Sequence, residues 1–589
     1  MFLKVTKQKN GRINLSFVQG YRDPVTKKSK HRVIENLGYV DEYLDRYDDP
    51  VKHFKKVARE RTKEMKEEES EKEFYLGSVY ADEVMDENEN AMRHLGFLPL
   101  SSIYHELKLD RFLINRQRST SIDYSLNDVM RLLIYTRVLA PGSKRASYLQ
   151  KENIAGSFNC NWYDVYRALD YFSEYREDLL LHLHEQVRIN YGRKTDVVFY
   201  DVTNYYFEID QEDDFRRKGF CKHNTRNPLV QMGLLLDAEA IPVTYRLFKG
   251  NTHDSQTMMP LLQGIRKSYG LERIVVVADK GLNSGDNVAF LMAKGDGFIF
   301  SQKIRGADSE LKAYALDPAG YIEKEGVIKA ADLYGENHKE PVFHMKSRPF
   351  PQEFWVTYAD DRKRRVPLDV KQIVCYNELY ARRQKHKRAE VLEKAQKIIA
   401  QPKRYNKREA AGALRYIKNI DYNKETGECV NIRRTPQLNL EKIAEDEKYD
   451  GYYAIITSEV DMPDHEVVRT YHGLWEIEHS FRITKSNLKS RPVHVSLEQR
   501  IEAHFLTCYI ALLILRLLSK RLKEKYSPEQ IIESLKKYQA CFVKDNIFKA
   551  TYYDTVIEDI GKTLNLKLNR RFLKTGGIRQ LIADSKKKL

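Results

Sequence analysis

Three acidic residues and one short segment hold the chemistry that this sequence offers. Asp201 ends the apolar run Val197-Val-Phe-Tyr, Asp279 ends the run Arg273-Ile-Val-Val-Val-Ala, and Glu478 lies between Tyr471 and Lys485. Tyr471, Glu478 and Lys485 are seven residues apart, and seven helical steps of about 100° complete two turns within roughly 20°. On one helix they would bring a phenol, a carboxylate and an ammonium to a single face. A second stripe, Leu474, Phe481 and Leu488, has the same interval and is free to be buried. That spacing is equally the spacing of a surface ion pair beside an apolar stripe. Each carboxylate also has an ordinary reading, since aspartate commonly ends a strand and glutamate favours helices. Taken together they have another. Three converging carboxylates, with ordinary pKa values near 4, repel one another unless cations intervene. Two divalent ions about 3.5–4 Å apart would relieve that repulsion, activate an attacking oxygen and stabilise the leaving oxygen at a phosphodiester.

The elements that must position these groups follow from the apolar pattern. Residues 197–203, 229–236, 243–248, 273–279, 297–304 and 452–458 read as strands, with the run before Asp279 apolar enough for a sheet centre. Asn251-Thr-His-Asp254 is expected to cap a helix reaching about Ser268, and Tyr471–Lys485 to form one continuous helix. Gln499–Leu522 reads as a further helix; its apolar core, 505–518, is interrupted by Arg516 and too short for a bilayer, so burial in the protein is expected. Upstream, residues 1–40 alternate like strands, with turn signals at Asn10-Gly11 and Asp23-Pro24. Residues 51–73 are so charged that they read as an exposed connecting helix. From 90 to 190 the pattern is helical, with Ser125 as an N-cap. Arg111, Arg116, Arg118, Arg137, Lys144 and Arg145 suit a DNA-binding helical domain, and an ordinary helical scaffold fits nearly as well. Segment 305–449 breaks the αβ rhythm. Its helix Arg382–Ala400 has a narrow stripe of Leu392, Ala395 and Ile399. Arg382, Arg383, Lys385, Lys387 and Arg388 crowd its start, where contact with phosphate is expected.

The chain has a net charge of +16, which favours a polyanionic partner, nucleic acid before membrane. Six scattered cysteines without a C-x-x-C pair argue against a disulfide framework or zinc ribbon and for a reducing cytoplasm. The N-terminus lacks the apolar run of a signal peptide.

The motifs Tyr200-Asp-Val-Thr-Asn-Tyr, Gly250-Asn-Thr-His-Asp and Val277-Ala-Asp-Lys-Gly, with Tyr471-x2-Leu474-x3-Glu478-x6-Lys485, form a specific combination. They continue into Ser486-Asn-Leu-Lys-Ser-Arg-Pro-Val-His-Val and Arg500-Ile-Glu-Ala-His-Phe. Over about residues 195–520 the chain resembles the insertion-sequence DDE transposases with the Tyr-Arg-Glu-Lys signature. The resemblance implies an α/β fold: an RNase H-like catalytic domain (191–304 and 450–525) interrupted by a β-rich insertion (305–449). A small β unit (1–50), a helical domain (51–190) and a C-terminal tail domain (526–589) would flank it. It also implies that Asp201, Asp279 and Glu478 are catalytic and bind two Mg²⁺ ions, with Mn²⁺ able to substitute. Tyr471 and Lys485 would contact DNA. The signature arginine is Leu474 here, so its phosphate contact would pass to a neighbour such as Arg482 or Arg491. The implied partners are double-stranded DNA, as transposon ends and target, and a second copy of the chain in the synaptic complex. The implied setting is the bacterial cytoplasm, at the nucleoid. Two other readings share the fold: a structure-selective nuclease, and a DNA-binding regulator without catalysis.

Overall fold

The computed structural model describes residues 1–8, 11–22, 29–71, 84, 90–219, 227–323, 342–405, 410–419, 429 and 436–587. Residues 1–89 form one compact unit and 90–589 another.

In the first unit, β1 (Phe2–Lys7), β2 (Ile13–Arg22) and β3 (Ser29–Tyr39) make an antiparallel sheet in that order. Of the two expected turns, Asn10 and Asp23-Pro24 lie outside the described residues. The helix Pro50–Glu71 is not a connector. Its Phe54 ring packs 6.2 Å from Phe17 and 4.9 Å from Tyr43, and Ala58 is buried. Thr62 donates to the Met1 carbonyl at 2.9 Å, and Arg61 pairs with Glu35. Val51, Phe54, Val57 and Ala58 form the stripe responsible, inconspicuous among so many charges. The boundary expected at residue 50 is therefore corrected: helix and sheet share one core.

The second unit is built on a nine-stranded sheet. Its strands are β5 (Val197–Tyr206), β6 (Leu229–Leu236), β7 (Pro242–Lys249), β8 (Val275–Ala278), β9 (Gly297–Gln302), β10 (Ile322–Glu323), β11 (Phe343–Thr357), β12 (Lys363–Asn377) and β15 (Tyr452–Thr457). A small pair, β13 (Ile417–Lys418) and β14 (Gln437–Leu438), stands apart from it. The order is β10-β11-β12-β15-β9-β8-β5-β6-β7. β5, β6 and β7 form an antiparallel meander, and β8 and β9 continue from β5 in parallel. A three-strand meander followed by two parallel strands on its first-strand side is the RNase H-like arrangement expected. β8 is buried on both faces, as its unbroken apolar run required.

Segment 305–449 does not stand apart as a domain, contrary to expectation. The hairpin β11–β12 pairs along its length, β12 pairs with β15, and β15 pairs with β9, so the insertion widens the catalytic sheet.

Side chains alternate between two cores. Val198, Tyr200, Val276, Ala278, Phe298 and Phe300 face one. Phe199, Tyr205, Val275, Val277 and Ile299 face the other, beneath the helical layer. That layer contains Phe97–Glu106, Leu109–Gln117, Leu126–Leu139, Trp162–Glu174 and Arg176–Tyr191, packed around the helix Glu498–Arg521. The Ser125 hydroxyl does cap its helix, accepting from the Asp128 amide at 3.1 Å. Among the described residues, Glu498–Arg521 is the one helix long and apolar enough to cross a membrane, and 94% of its apolar window is buried inside the fold. The C-terminal residues are not a separate domain either. β16 (Gln539–Lys544), β17 (Ile547–Ala550) and β18 (Phe572–Lys574) join β4 (Met92–His94) in the order β18-β17-β16-β4. The Leu95 and Gly96 amides both donate to the Tyr538 carbonyl at 3.1 Å.

Candidate active site

Strand register brings two of the carboxylates together. Phe199 lies beside Val277 in the parallel pair β5–β8, so two residues further on Asp201 comes beside Asp279. Neighbouring strands are about 4.8 Å apart, and period-2 alternation turns both residues toward the face that carries Phe199 and Val277. The pair β8–β9 aligns Val277 with Ile299, which brings Ser301 beside Asp279. The Ser301 hydroxyl donates to Asp279 Oδ1 at 2.8 Å, and Asp201 Oδ1 accepts from the Val202 amide at 2.7 Å. Glu478 belongs to the helix Trp475–Arg482, which packs over β5 on this same face through Ile477 and Phe481. Glu478 and Asp279 are exposed and Asp201 half-buried. Carboxylate oxygens suit a hard divalent cation. Among the described residues, no three His, Cys, Asp or Glu side chains are gathered closely enough to hold an ion. The three carboxylates thus share a face without forming one cluster.

The segment expected to be one helix is three pieces. Asp464–His472 and Trp475–Arg482 are α-helical, and Ile483–Asn487 is a π-turn closed by the Leu488 amide on the Ile483 carbonyl at 2.9 Å. Between the two helices the bonds shorten to i→i+3: Leu474 to Tyr471 at 3.1 Å, Glu476 to Gly473 at 3.1 Å and Ile477 to Leu474 at 3.2 Å. Gly473 sits against β5, where a Cβ would lie 2.6 Å from Phe199 Cζ, so only glycine fits this bend. Leu474 is half-buried against the main core, and Phe481 and Leu488 are buried, as the apolar stripe required.

The proposed DNA contacts differ in what surrounds them. Tyr471 is half-buried, its ring 6.5 Å from that of Tyr453, whose hydroxyl is 3.0 Å from His472 Nε2. Burial pushes the Tyr471 phenol above its usual range against a hydrogen bond with Ser301, and the Asp279 and Glu478 charges add to the rise. Lys485 donates to Thr203 Oγ1 on β5 and lies 5.3 Å above the Tyr205 ring. Arg482 is exposed and lies 3.6 Å from Glu529, which also meets His479 at 2.9 Å. Arg491 stacks its guanidinium 5.4 Å from the Tyr206 ring.

The basic helix spans Glu378–Ala400. Arg382, Arg383, Lys385 and Lys387 are exposed, Arg382 pairing with Glu378 at 2.6 Å. Arg388 must be corrected: it is buried, 2.7 Å from Asp450 and 3.2 Å from Glu447, and holds the helix to the segment before β15. Arg137 and Lys144, counted among basic residues suited to DNA, are likewise buried.

Sequence reasoning missed the residues behind the site. Ser301 becomes visible only once strand register is known. Arg516 stands out in sequence as the one charge within an apolar run, and here it bonds the Glu476 carboxylate at 2.9 Å, the Glu476 carbonyl at 3.0 Å and the Ser480 hydroxyl at 2.8 Å. Arg137 donates to the Leu488 and Lys489 carbonyls at 3.3 and 3.2 Å, and His504 Nε2 lies 3.0 Å from the Ser490 carbonyl.

Two family models match this chain: the N-terminal domain of IS1634 family transposases over residues 3–72, and the transposase DDE domain over residues 362–514. The first coincides with the N-terminal sheet and its helix; the second includes Glu478 and Lys485. No curated protein sequence matches. Among solved structures, the chain is similar to a piggyBac transposase in a synaptic complex with hairpin DNA, at 9% identity and a TM-score of 0.32, covering 83% of this chain and 85% of that one.

Proposed function

From the premise that this chain is an insertion-sequence DDE transposase, a divalent-metal-dependent enzyme acting on DNA, we propose that it works at the terminal inverted repeats of its element. There it cuts by hydrolysis and joins the freed 3′ ends to target DNA. In the first step a water oxygen attacks phosphorus and the 3′ oxygen leaves as a hydroxyl. In the second that hydroxyl oxygen attacks a target phosphodiester, and the target's own 3′ oxygen leaves. Both are in-line displacements, so one site serves both. Asp201, Asp279 and Glu478 are the residues that would hold two Mg²⁺ ions, or Mn²⁺. When bound, these supply charge stabilisation at phosphorus and a more acidic attacking oxygen. Lys485, drawn to β5 by Thr203, holds a phosphate beside the cut, with Arg482 and Arg491 along the same flank. Tyr471 orients the Ser301–Asp279 side of the site. Leu474 marks a departure from the Tyr-Arg-Glu-Lys signature, so phosphate contact on that side falls to Arg482 or Arg491. Two copies act together, one per transposon end.

The observation that supports this reading is the parallel register of β5 and β8, paired as far as Phe199 and Val277, which carries Asp201 and Asp279 two residues beyond on the face over which the Glu478 helix packs. The test is a gel shift and a nicking assay on one labelled fragment of the repeats flanking the gene. Alanine at any of the three carboxylates should abolish nicking and leave the shift nearly intact, because the carboxylates act on charge at phosphorus rather than on grip. Wild-type cutting by Glu478→Ala would overturn the assignment. A wild-type protein that binds but never cuts under Mg²⁺ or Mn²⁺ would favour the non-catalytic regulator.

A further inference from the structure

Residues 476–490 carry both Glu478 and Lys485, and the helical layer grips this segment from beneath at both ends. At the far end, Arg137 bonds two successive carbonyls at 488–489, and His504 faces the carbonyl at 490. At the near end stands Arg516. It lies in the last third of the helix Glu498–Arg521, near the end of its buried apolar run, where a charge is costly unless paired and hydrogen-bonded. Its partners are the Glu476 carboxylate, the Glu476 carbonyl and the Ser480 hydroxyl. These residues lie two before and two after Glu478, on the buried side of a helix whose exposed side carries Glu478.

We propose that Arg516 is a positioning residue for Glu478, fixing the rotation and height of the Trp475–Arg482 helix so that the Glu478 carboxylate stays directed toward Asp201 and Asp279. The helix begins at a bend rather than a cap, with no side-chain hydrogen bond at its N-terminus, and it runs into a π-turn, so neither end is fixed by regular helical bonding. It is eight residues long, too short to hold its own shape without tertiary contacts. Apolar packing through Ile477 and Phe481 resists separation from the sheet but resists rotation weakly. A planar guanidinium bonded to a backbone carbonyl and to side chains one turn apart resists rotation directly. Lysine, with one ammonium, reaches fewer of these partners.

This inference rests on the reading of Glu478 as a metal ligand. The experiment compares full-length wild type, Arg516→Met, Arg516→Lys, Ser480→Ala and Glu478→Ala in complex with a terminal-repeat fragment. It measures nicking, fragment affinity, thermal unfolding and Mn²⁺ binding by electron paramagnetic resonance. Arg516→Met should lower Mn²⁺ affinity and nicking each by about tenfold or more, the usual scale for residues that orient a ligand. Fragment affinity should stay within about twofold, because the phosphate-binding cations are untouched. Arg516→Lys should recover part of the loss, and Ser480→Ala should show a smaller loss of the same kind. A role confined to folding would instead lower the unfolding temperature and reduce Mn²⁺ and DNA binding in parallel. Should Arg516→Met fail to fold, Arg516→Lys and Ser480→Ala carry the same comparison, and wild-type nicking and Mn²⁺ affinity in both would overturn the proposal. A folded Arg516→Met with wild-type Mn²⁺ affinity would overturn it outright. If Glu478→Ala nicks normally, the assignment of Glu478 fails; if Glu478→Ala is inactive while the Arg516 variants are normal, only the positioning role fails.

Discussion

Lys485 gives its ammonium to the Thr203 hydroxyl, two residues beyond Asp201 on the same face of β5. The π-turn that carries Lys485 is thereby tied to the strand that carries the first aspartate, and a cation stands a short step from the proposed cut. Lys485→Ala should weaken binding to the terminal repeats by about tenfold, the scale of one charge-assisted hydrogen bond. It should also reduce the log–log salt slope by about 0.9. Thr203→Ala, which removes the hydroxyl and keeps the ammonium, should leave that slope unchanged. Equal slopes for Lys485→Ala and wild type would remove Lys485 from the DNA interface.

Gly473 supplies the second junction between helix and strand. A methyl group there would meet Phe199 Cζ at 2.6 Å, Phe199 Cε1 at 2.8 Å and the Thr470 carbonyl oxygen at 3.0 Å. Gly473→Ala should cost about 1–3 kcal/mol in a denaturant titration, as over-packing generally does. Nicking should fall further than stability predicts, because relief requires the Glu478 helix to lift from β5. Phe199→Leu in the same background should restore part of both, and a strictly additive double-mutant cycle would disprove the contact.

The catalytic sheet was legible because its signals are local. Fully apolar runs, period-2 alternation and turn residues together mark β5 to β9 and β15, and two of the aspartates end or follow such runs. What escaped was set by tertiary contact. The stretch Tyr471–Lys485 has helical periodicity throughout, and nothing within it says that Gly473 must bend it against Phe199. The charges of Pro50–Glu71 hide a stripe that packs on the N-terminal sheet. Arg388, Arg137 and Lys144 look like their exposed neighbours in sequence, since whether a cation meets water, a carboxylate or a carbonyl depends on segments far along the chain. The pairing of β4 with β16 is a contact between distant segments that no local pattern announces.

The basic helix divides cleanly on that point. Arg382, Arg383, Lys385 and Lys387 are exposed, whereas Arg388 is buried beside Glu447 and Asp450. Neutralising the exposed four to glutamine should flatten the salt dependence of DNA binding by about 0.9 for each phosphate that goes unneutralised, with little change in unfolding. Arg388→Met should do the reverse, costing roughly 1.5–3 kcal/mol by removing charge-assisted hydrogen bonds to the half-buried Asp450, which Arg305 still pairs, and to the exposed Glu447, and leaving the salt slope unaltered. A stable Arg388→Met protein with a reduced slope would return Arg388 to the DNA-binding set.

Stability should also depend on pH, through a lysine beneath the signature segment. Lys144 is buried, with its ammonium 3.3 Å from Thr507 Oγ1. Burial, with Arg137 adding to it, pulls the Lys144 pKa down to about 7, against a small opposing effect of Cys508. His504 is buried beside the same groups and is itself held well below its usual range by burial and by Lys144 and Arg137. In the unfolded chain Lys144 titrates near its ordinary value of about 10.4. Between those two values the unfolded state binds a proton that the folded state lacks, so this residue makes stability rise with pH across that window. Below the folded pKa both states are protonated and the full cost of burying the charge is present; above the unfolded value neither is, and the cost has vanished. Lys144→Met keeps the apolar stem and removes the titration. Its advantage in stability over wild type should be largest near pH 7 and shrink steadily toward pH 10, as read from urea midpoints at fixed ionic strength. A wild-type-minus-variant difference that stays flat from pH 7 to 10 would show that Lys144 keeps an ordinary pKa in the fold, and that the cations beneath the signature segment are better solvated than their burial implies.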